Sequence, residues 1–508
     1  MLPKTLRNVF TVGGFTAFSR VLGLVREMLQ ARFIGAGVEQ SAFTLAFALP
    51  NMFRKMFGEG ALTAAFIPVF KGEVEQQGLK HAEKLARSVF AMVFLLILAI
   101  IALGWVGLGF YSIPRMGEMS ERAELIVVLV SILLPYMLFI CGAAFGMGVL
   151  NALGRFKASS FMPALLNVIW ILALASLAFF PGLDVKYRVG FVSIAILFGG
   201  LLQFAFMLWR MRCAGINLSR RPMLSWRDEK VVLVWRNLGI GIAGAGAIQI
   251  NYALDQLLAQ LASPWAAGVI GYAERLMDLP LGIVGVAFGT VLLPTFSGFF
   301  ARQDIEGAKT ALVSSTRNLL LVMLPAAIGL FVLAKDITAV IYEGHAFDSI
   351  ATIRVSRALA IYALGLACFG FQKTLIPFFQ AQGDMKTPLK VSVQMVFLNA
   401  VMNILAVWLL PVEWRHVGLA ASTVITAAIG ALLLVIHAHR LNGSLGFGAL
   451  KLPLLVMIVA SLVMGAVVWW VRPYLGTLPE ILRLGVLILI GIAVYALPCL
   501  LGTLKRTF

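Results

Sequence analysis

Apolar residues in this chain come in long continuous runs, such as 89–103 and 454–471, separated by short polar, basic or Gly/Pro-containing breaks. Barrel strands alternate at period two; these runs do not, so they predict helices. A helix needs about 20 mostly apolar residues to cross a bilayer. That ruler gives fourteen expected spans, roughly at 9–34, 40–70, 86–111, 122–150, 158–180, 189–211, 233–262, 266–300, 311–334, 352–380, 388–411, 417–438, 452–471 and 481–503. The first, second, seventh, eighth and tenth are longer than a crossing requires and carry polar residues, which suits tilt or bending.

Composition sharpens this picture. The chain is 61% hydrophobic and 13% charged, against about 25% charged for a soluble domain. So much apolar surface must face lipid, where only helices and closed barrels satisfy the backbone. An all-α polytopic membrane protein is expected. Its net charge of +18 is read as loop charge on the cytoplasmic side and not as a nucleic-acid surface. The cluster Arg210, Arg212, Arg220, Arg221, Arg227, Lys230 and Arg236 carries much of that bias, while the loop at Pro264 and Trp265 carries none. Both termini are therefore expected in the cytoplasm. Lys4 and Arg7 precede an apolar stretch, but Ser19 and Arg20 interrupt it and no small-residue cleavage site follows. This segment is read as the first transmembrane helix, not a cleaved signal. Cys141, Cys213, Cys368 and Cys499 are scattered singly and suggest neither a disulfide framework nor a metal site.

An internal repeat is also legible. "SAFTLAFALPNMF" resembles "IGYAERLMDLPLG", aligning Pro50 with Pro280, and "NALGRFKASS" resembles "QAQGDMKTPL", aligning Gly154 with Gly383 and Lys157 with Lys386. The offsets are 230 and 229 residues. An even number of spans separates the copies, so the halves run in parallel, as in transporters built from parallel repeats. The expected division is 1–225 for helices one to six, 226–445 for helices seven to twelve and 446–508 for a final pair outside the repeat.

The informative chemistry is charge inside spans. Arg20, Arg26 and Arg32 lie in span one; Arg54, Lys55 and Glu59 in span two; Asp255 in span seven; Glu274, Arg275 and Asp278 early in span eight. One Arg or Asp at a helix centre costs roughly 2.5–3.5 kcal/mol on insertion scales. Arg275 and Asp278 could pair along one helix, and Arg32 and Lys55 could snorkel to an interface. Arg20, Arg26 and Arg54 outnumber the neighbouring acids Glu27 and Glu59, so they point to an anion-binding cavity. Arginine suits phosphate because its fork donates two parallel hydrogen bonds and stays charged. In the second half Asn251 and Asp255 are four apart, as are Asn399 and Asn403. A carboxylate with amide oxygens suits an alkali cation; the amides could equally serve as hydrogen-bonding glue between helices. His437 and His439 are read as a solvated helix end, and "GIGIAGAGA" as close helix packing, since no strand precedes it. No nucleophile triad or metalloenzyme constellation is found, so no enzyme is expected.

Five strings, "FSRVLGLVRE", "ARFIGAG", "LPNMFRKMFGEGALTAAFIPVF", "YAERLMDLPLGIVGVAFGTVLLP" and "QAQGDMKTP", resemble the MurJ (MviN) family in order and spacing, with the likeness running essentially end to end. The resemblance implies the MOP exporter superfamily fold: two six-helix lobes around a central cavity, with two C-terminal helices forming a groove for a polyprenyl tail. It implies a flippase that moves lipid II, the peptidoglycan precursor, from inner to outer leaflet of the bacterial inner membrane by alternating access. It carries the cavity's basic residues to Arg20, Arg26, Arg54, Lys55 and Arg275, with Glu59, Glu274 and Asp278 as candidate cavity acids. It also implies a sodium site at Asp255, Asn399 and Asn403, completed by Ser422 or Thr423. Some relatives have an acid where this chain has Ser41, with Glu39 nearby. Expected partners are lipid II, membrane lipids and the cell-wall synthesis machinery, for a monomer without other cofactors. The alternatives are a flippase for another lipid-linked oligosaccharide and a cation-coupled multidrug exporter.

Overall fold

The computed structural model describes residues 4–58, 61–218, 227–289 and 291–500. They form eighteen α-helices: α1 (Lys4–Ile34), α2 (Val38–Gly58), α3 (Ala61–Gln77), α4 (Leu79–Ser112), α5 (Glu121–Leu133), α6 (Tyr136–Ala152), α7 (Phe156–Ser176), α8 (Val185–Cys213), α9 (Glu229–Ala262), α10 (Ala266–Gly289), α11 (Leu292–Ala301), α12 (Ile305–Val332), α13 (Ala334–Tyr342), α14 (Ser349–Ala381), α15 (Lys386–Leu409), α16 (Arg415–Asn442), α17 (Lys451–Val471) and α18 (Glu480–Leu500). Among the described residues there is no strand, only an isolated bridge between Gly344 and Phe347. The protein is an all-α polytopic membrane protein, as its apolar runs require.

Ten helical stretches among the described residues are long and apolar enough to cross a membrane. The other four expected spans correspond to α1, the α2–α3 pair, α9 and the α10–α11 pair. Apart from Glu59, which lies outside the described residues, the in-span charges singled out above are on these same helices. Three expected spans are broken. The segment 122–150 divides into α5 and α6 at Leu134–Pro135, where proline has no N–H to continue the ladder. Segments 40–70 and 266–300 each yield two helices. Helix α13 has no expected counterpart, because its nine residues fall short of a spanning run.

Local capping sets several helix starts. The side chains of Asp304 and Asp348 accept hydrogen bonds from the backbone N–H groups of Gly307 (2.8 Å) and Ala351 (2.7 Å), satisfying donors that a helix leaves open at its first turn.

The repeat is visible in the elements. Helix α7 starts at Phe156 and α15 at Lys386, and α8 starts at Val185 and α16 at Arg415, both pairs 230 residues apart. Pro50 lies inside α2 and Pro280 inside α10. The turn closing α6 uses Gly154 at φ 73° and that closing α14 uses Gly383 at φ 78°. In each, the next residue's N–H donates to the carbonyl five residues back, Arg155 to Leu150 and Asp384 to Phe379. Glycine is the residue that adopts this backbone without steric cost.

The chain forms two compact units, Met1–Gln260 and Leu261–Phe508. In the first, Phe66, Phe70 and Phe145 stack between α3 and α6, within a core that also takes Val89, Met137 and Ile196. In lipid there is little hydrophobic drive between helices, so close van der Waals fit carries the packing. Gly200 shows it: a Cβ there would lie 2.5 Å from Cδ2 of Tyr136. The far end of α9 is tied into this unit, since the amide of Gln260 donates to Ser41 O (2.7 Å) and Oγ (3.2 Å), while Arg122 donates to Gln260 O (2.8 Å). In the second unit, Leu292 and Phe296 pack with Leu375, Phe378 and Leu434. A separate cluster of Leu333, Val468, Leu484 and Leu487 joins α13 to α17 and α18.

Candidate functional site

Helix α1 presents Arg20 and Arg26. Arg26 is half-buried and held from three sides. It pairs with Glu27, donates through Nη1 to Asn167 Oδ1 (2.9 Å), and its guanidinium carbon lies 4.4 Å from the Trp170 ring centroid. Asn167 turns its amide back to α1, donating to Ser19 O (3.1 Å). Trp170 donates to Gln30 Oε1 (3.0 Å), whose own amide donates to Gln40 Oε1 (2.9 Å). Asn167 and Trp170, three apart on α7, therefore lock α1 while leaving most donors of Arg26 to other partners. The sequence treated Arg26 as a base in excess of its acids; the fold gives it Glu27 and an acceptor on α7. Sequence reasoning passed over Asn167 and Trp170, although an Asn in an otherwise apolar span is a legible signal.

Arg20 is exposed and lines a cavity of about 350 Å³ with Ser19, Asn151, Phe156, Ser159 and Pro163. Ser159 donates to Asn151 Oδ1 (2.7 Å) on that wall. The cavity thus combines a guanidinium with hydroxyl and amide groups at the start of α7, where the helix dipole also favours an anion. On α2, Arg54 donates through Nε to Asn51 Oδ1 (3.1 Å), and the Lys55 ammonium sits 5.1 Å from the Tyr252 ring centroid. Arg32 is exposed in the last turn of α1. Glu59 lies outside the described residues.

In the second unit, Glu274 of α10 accepts from the Tyr362 hydroxyl of α14 (3.3 Å), while Arg275 and Asp278 are exposed. Asn403 donates to Asn399 Oδ1 (2.9 Å), and both are buried. Asp255, in the first unit, accepts from Asn251 (3.1 Å). Ser422 is buried and Thr423 partly so, and each hydroxyl donates to the carbonyl four residues back, at 2.9 and 3.2 Å. Their oxygens keep lone pairs for a further partner. Ser41 is fully buried, and Gln260 donates to both its oxygens.

The sequence comparisons with known proteins agree on one family. A family model described as lipid II flippase MurJ matches residues 30–479. The probable lipid II flippase MurJ of Rhizobium tropici is 34% identical over 503 residues, covering 96% of this chain and 93% of that protein. The Haemophilus influenzae protein of the same description is 30% identical over 487 residues, covering 90% and 91%. A solved lipid II flippase MurJ in an inward closed conformation superposes with a TM-score of 0.79 at 25% identity, covering 97% of this chain and 98% of that one. An inward-facing multidrug resistance MATE transporter of the MOP superfamily shares the fold at a TM-score of 0.70 and 15% identity, covering 84% and 95%. With matches that span both repeats and the charged helices alike, the chain belongs to the MurJ family of lipid II flippases.

Proposed function

We propose that this protein is a transporter, not an enzyme, and that it flips lipid II from the inner to the outer leaflet. End-to-end similarity to proteins described as lipid II flippases carries the reading. The Arg20-lined cavity beside α1 supports it chemically. A diphosphate is a dense anion, and Arg20, Arg26, Arg54 and Arg275, with Lys55, supply fixed cations for it. Glu59, Glu274 and Asp278 are the acids that would tune or release it. Alternating exposure of such a cavity moves the headgroup while the tail stays in lipid.

The charge pattern supports a bacterial inner membrane setting with both termini in the cytoplasm. The Arg20 cavity, at the start of α7, would then open in the cytoplasmic half, where the precursor is made. A cation, sodium for preference, is proposed at Asp255, Asn399 and Asn403, with Ser422 or Thr423 completing the shell. The cell-wall synthesis machinery is the natural receiver of the product, and a monomer suffices for the mechanism.

A multidrug exporter is the reading that the shared fold alone would allow. Cationic drugs call for acids where this cavity has Arg20. The deciding experiment is rescue of cells depleted of their own lipid II flippase, combined with a leaflet assay of lipid II accessibility. Rescue with lipid II reaching the outer leaflet is the expected result; growth arrest despite normal membrane abundance would overturn the assignment.

A further inference from the structure

Asp336, in the first turn of α13, is 2% exposed. Two arginines converge on it: Arg472, which follows the last residue of α17, at 3.0 Å on Oδ2, and Arg483, in the first turn of α18, at 3.3 Å on Oδ1. One buried carboxylate needs one cation. The second is surplus, and the cluster keeps a net positive charge, with exposed Lys335 beside it. The side chains of Arg472 and Arg483 remain 34% and 23% exposed. Each guanidinium has five donors, and Asp336 is met through Nη2 of each, which leaves donors for a further acceptor.

The depth of the cluster narrows what those donors meet. Trp469, Trp470 and Tyr474 around it are all more than 60% exposed, and tryptophan and tyrosine in such positions mark the level of the lipid headgroups. With the termini in the cytoplasm this turn is on the outer side, where basic residues are disfavoured by the usual charge bias. Two arginines there need a local reason, and holding Asp336 accounts for only one.

We propose that the turn between α17 and α18 binds the phosphate of an anionic phospholipid through Arg472 and Arg483, with Asp336 as the residue that orients both. A guanidinium meets phosphate with two parallel hydrogen bonds, and an anionic headgroup adds net charge that a zwitterionic one cancels. The site rests on the depth and charge of this turn and is independent of whether the protein transports lipid II.

The test is native mass spectrometry of the full chain titrated with phosphatidylglycerol, phosphatidylcholine or inorganic phosphate. The wild type is expected to retain phosphatidylglycerol in preference to phosphatidylcholine. The Arg472→Gln/Arg483→Gln variant should retain one phosphatidylglycerol fewer per chain, with affinity at that site lowered by about 30-fold, the effect of two interfacial cations. That variant leaves a buried acid alone, so a triple variant adding Asp336→Asn removes this burden on folding and should lose the same lipid at an unchanged melting temperature. Undiminished retention by the triple variant, or no headgroup preference in the wild type, would overturn the proposal. Displacement of the lipid by millimolar inorganic phosphate would overturn phospholipid as the occupant.

Discussion

The guanidinium of Arg26 lies against the face of Trp170, 4.4 Å from carbon to ring centroid, while Asn167, one turn earlier on the same helix, accepts its Nη1 hydrogen bond. A cation inside a membrane span, paired with Glu27 on its own helix, is thus also held from α7 by two residues that carry no charge. A cation–π contact of this kind is worth about 0.5–2 kcal/mol, and a hydrogen bond to a charged group about 1.5–3 kcal/mol. Both are exerted on orientation as much as on stability.

Asn167→Ala and Trp170→Leu should therefore impair transport without removing any charge. Loss of about 1.4 kcal/mol of orientation corresponds to a tenfold drop in rate, measured as lipid II reaching the outer leaflet at matched protein abundance. Arg26→Ala should be at least as severe. Normal transport by both α7 variants would mean that Arg26 needs no support from α7.

Arg20→Ala, Arg54→Ala and Arg275→Ala should each reduce rescue of flippase-depleted cells at low expression, with membrane abundance largely kept. Lysine at these positions should restore function only in part, because a point charge cannot reproduce a two-bond fork. Full growth of all three alanine variants would remove the anion-binding role from these side chains.

Sodium should raise the melting temperature of the purified protein, since a ligand that binds only the folded form stabilises it, by about 2.7 kcal/mol at a hundredfold excess over its dissociation constant. Asp255→Asn and Asn403→Ala should blunt that response. A wild type indifferent to sodium, or an Asp255→Asn variant with the full response, would leave Asp255 with a structural or protonic role instead.

Gly200→Ala should destabilise the first unit by about 1–3 kcal/mol, the usual cost of overpacking a filled contact, because the added Cβ would meet the Tyr136 ring at 2.5 Å. Tyr136→Leu should recover part of the loss in the double variant. Gly190→Ala, on the same helix with open space around it, is the control and should melt like the wild type. Equal melting temperatures for Gly200→Ala and Gly190→Ala would show that α6 and α8 can part at no cost.

The sequence by itself determined that this is a helical membrane protein built from a repeated half. Continuous apolar runs have only one way to hide their backbone in lipid, and Gly154 and Gly383 mark the same left-handed turn in both copies. It also singled out the charged helices, because an ionisable residue in an apolar run stands out without any knowledge of its neighbours. Tertiary structure alone decided what those charges meet. Arg26 and Asn167 are 141 positions apart, Asp336 and Arg483 are 147 apart, and no periodicity connects residues across such a distance. The break at Leu134–Pro135 and the short helix α13 were likewise beyond the pattern. A ruler for membrane crossing registers only runs of about 20 residues, whereas α13 is held against α17 and α18 by Ile337 and Val340 packing on the cluster of Val468 and Leu484, and by Asp336. Contacts of this kind exist only once the chain has folded, because they are made by side chains brought together from helices far apart in the sequence.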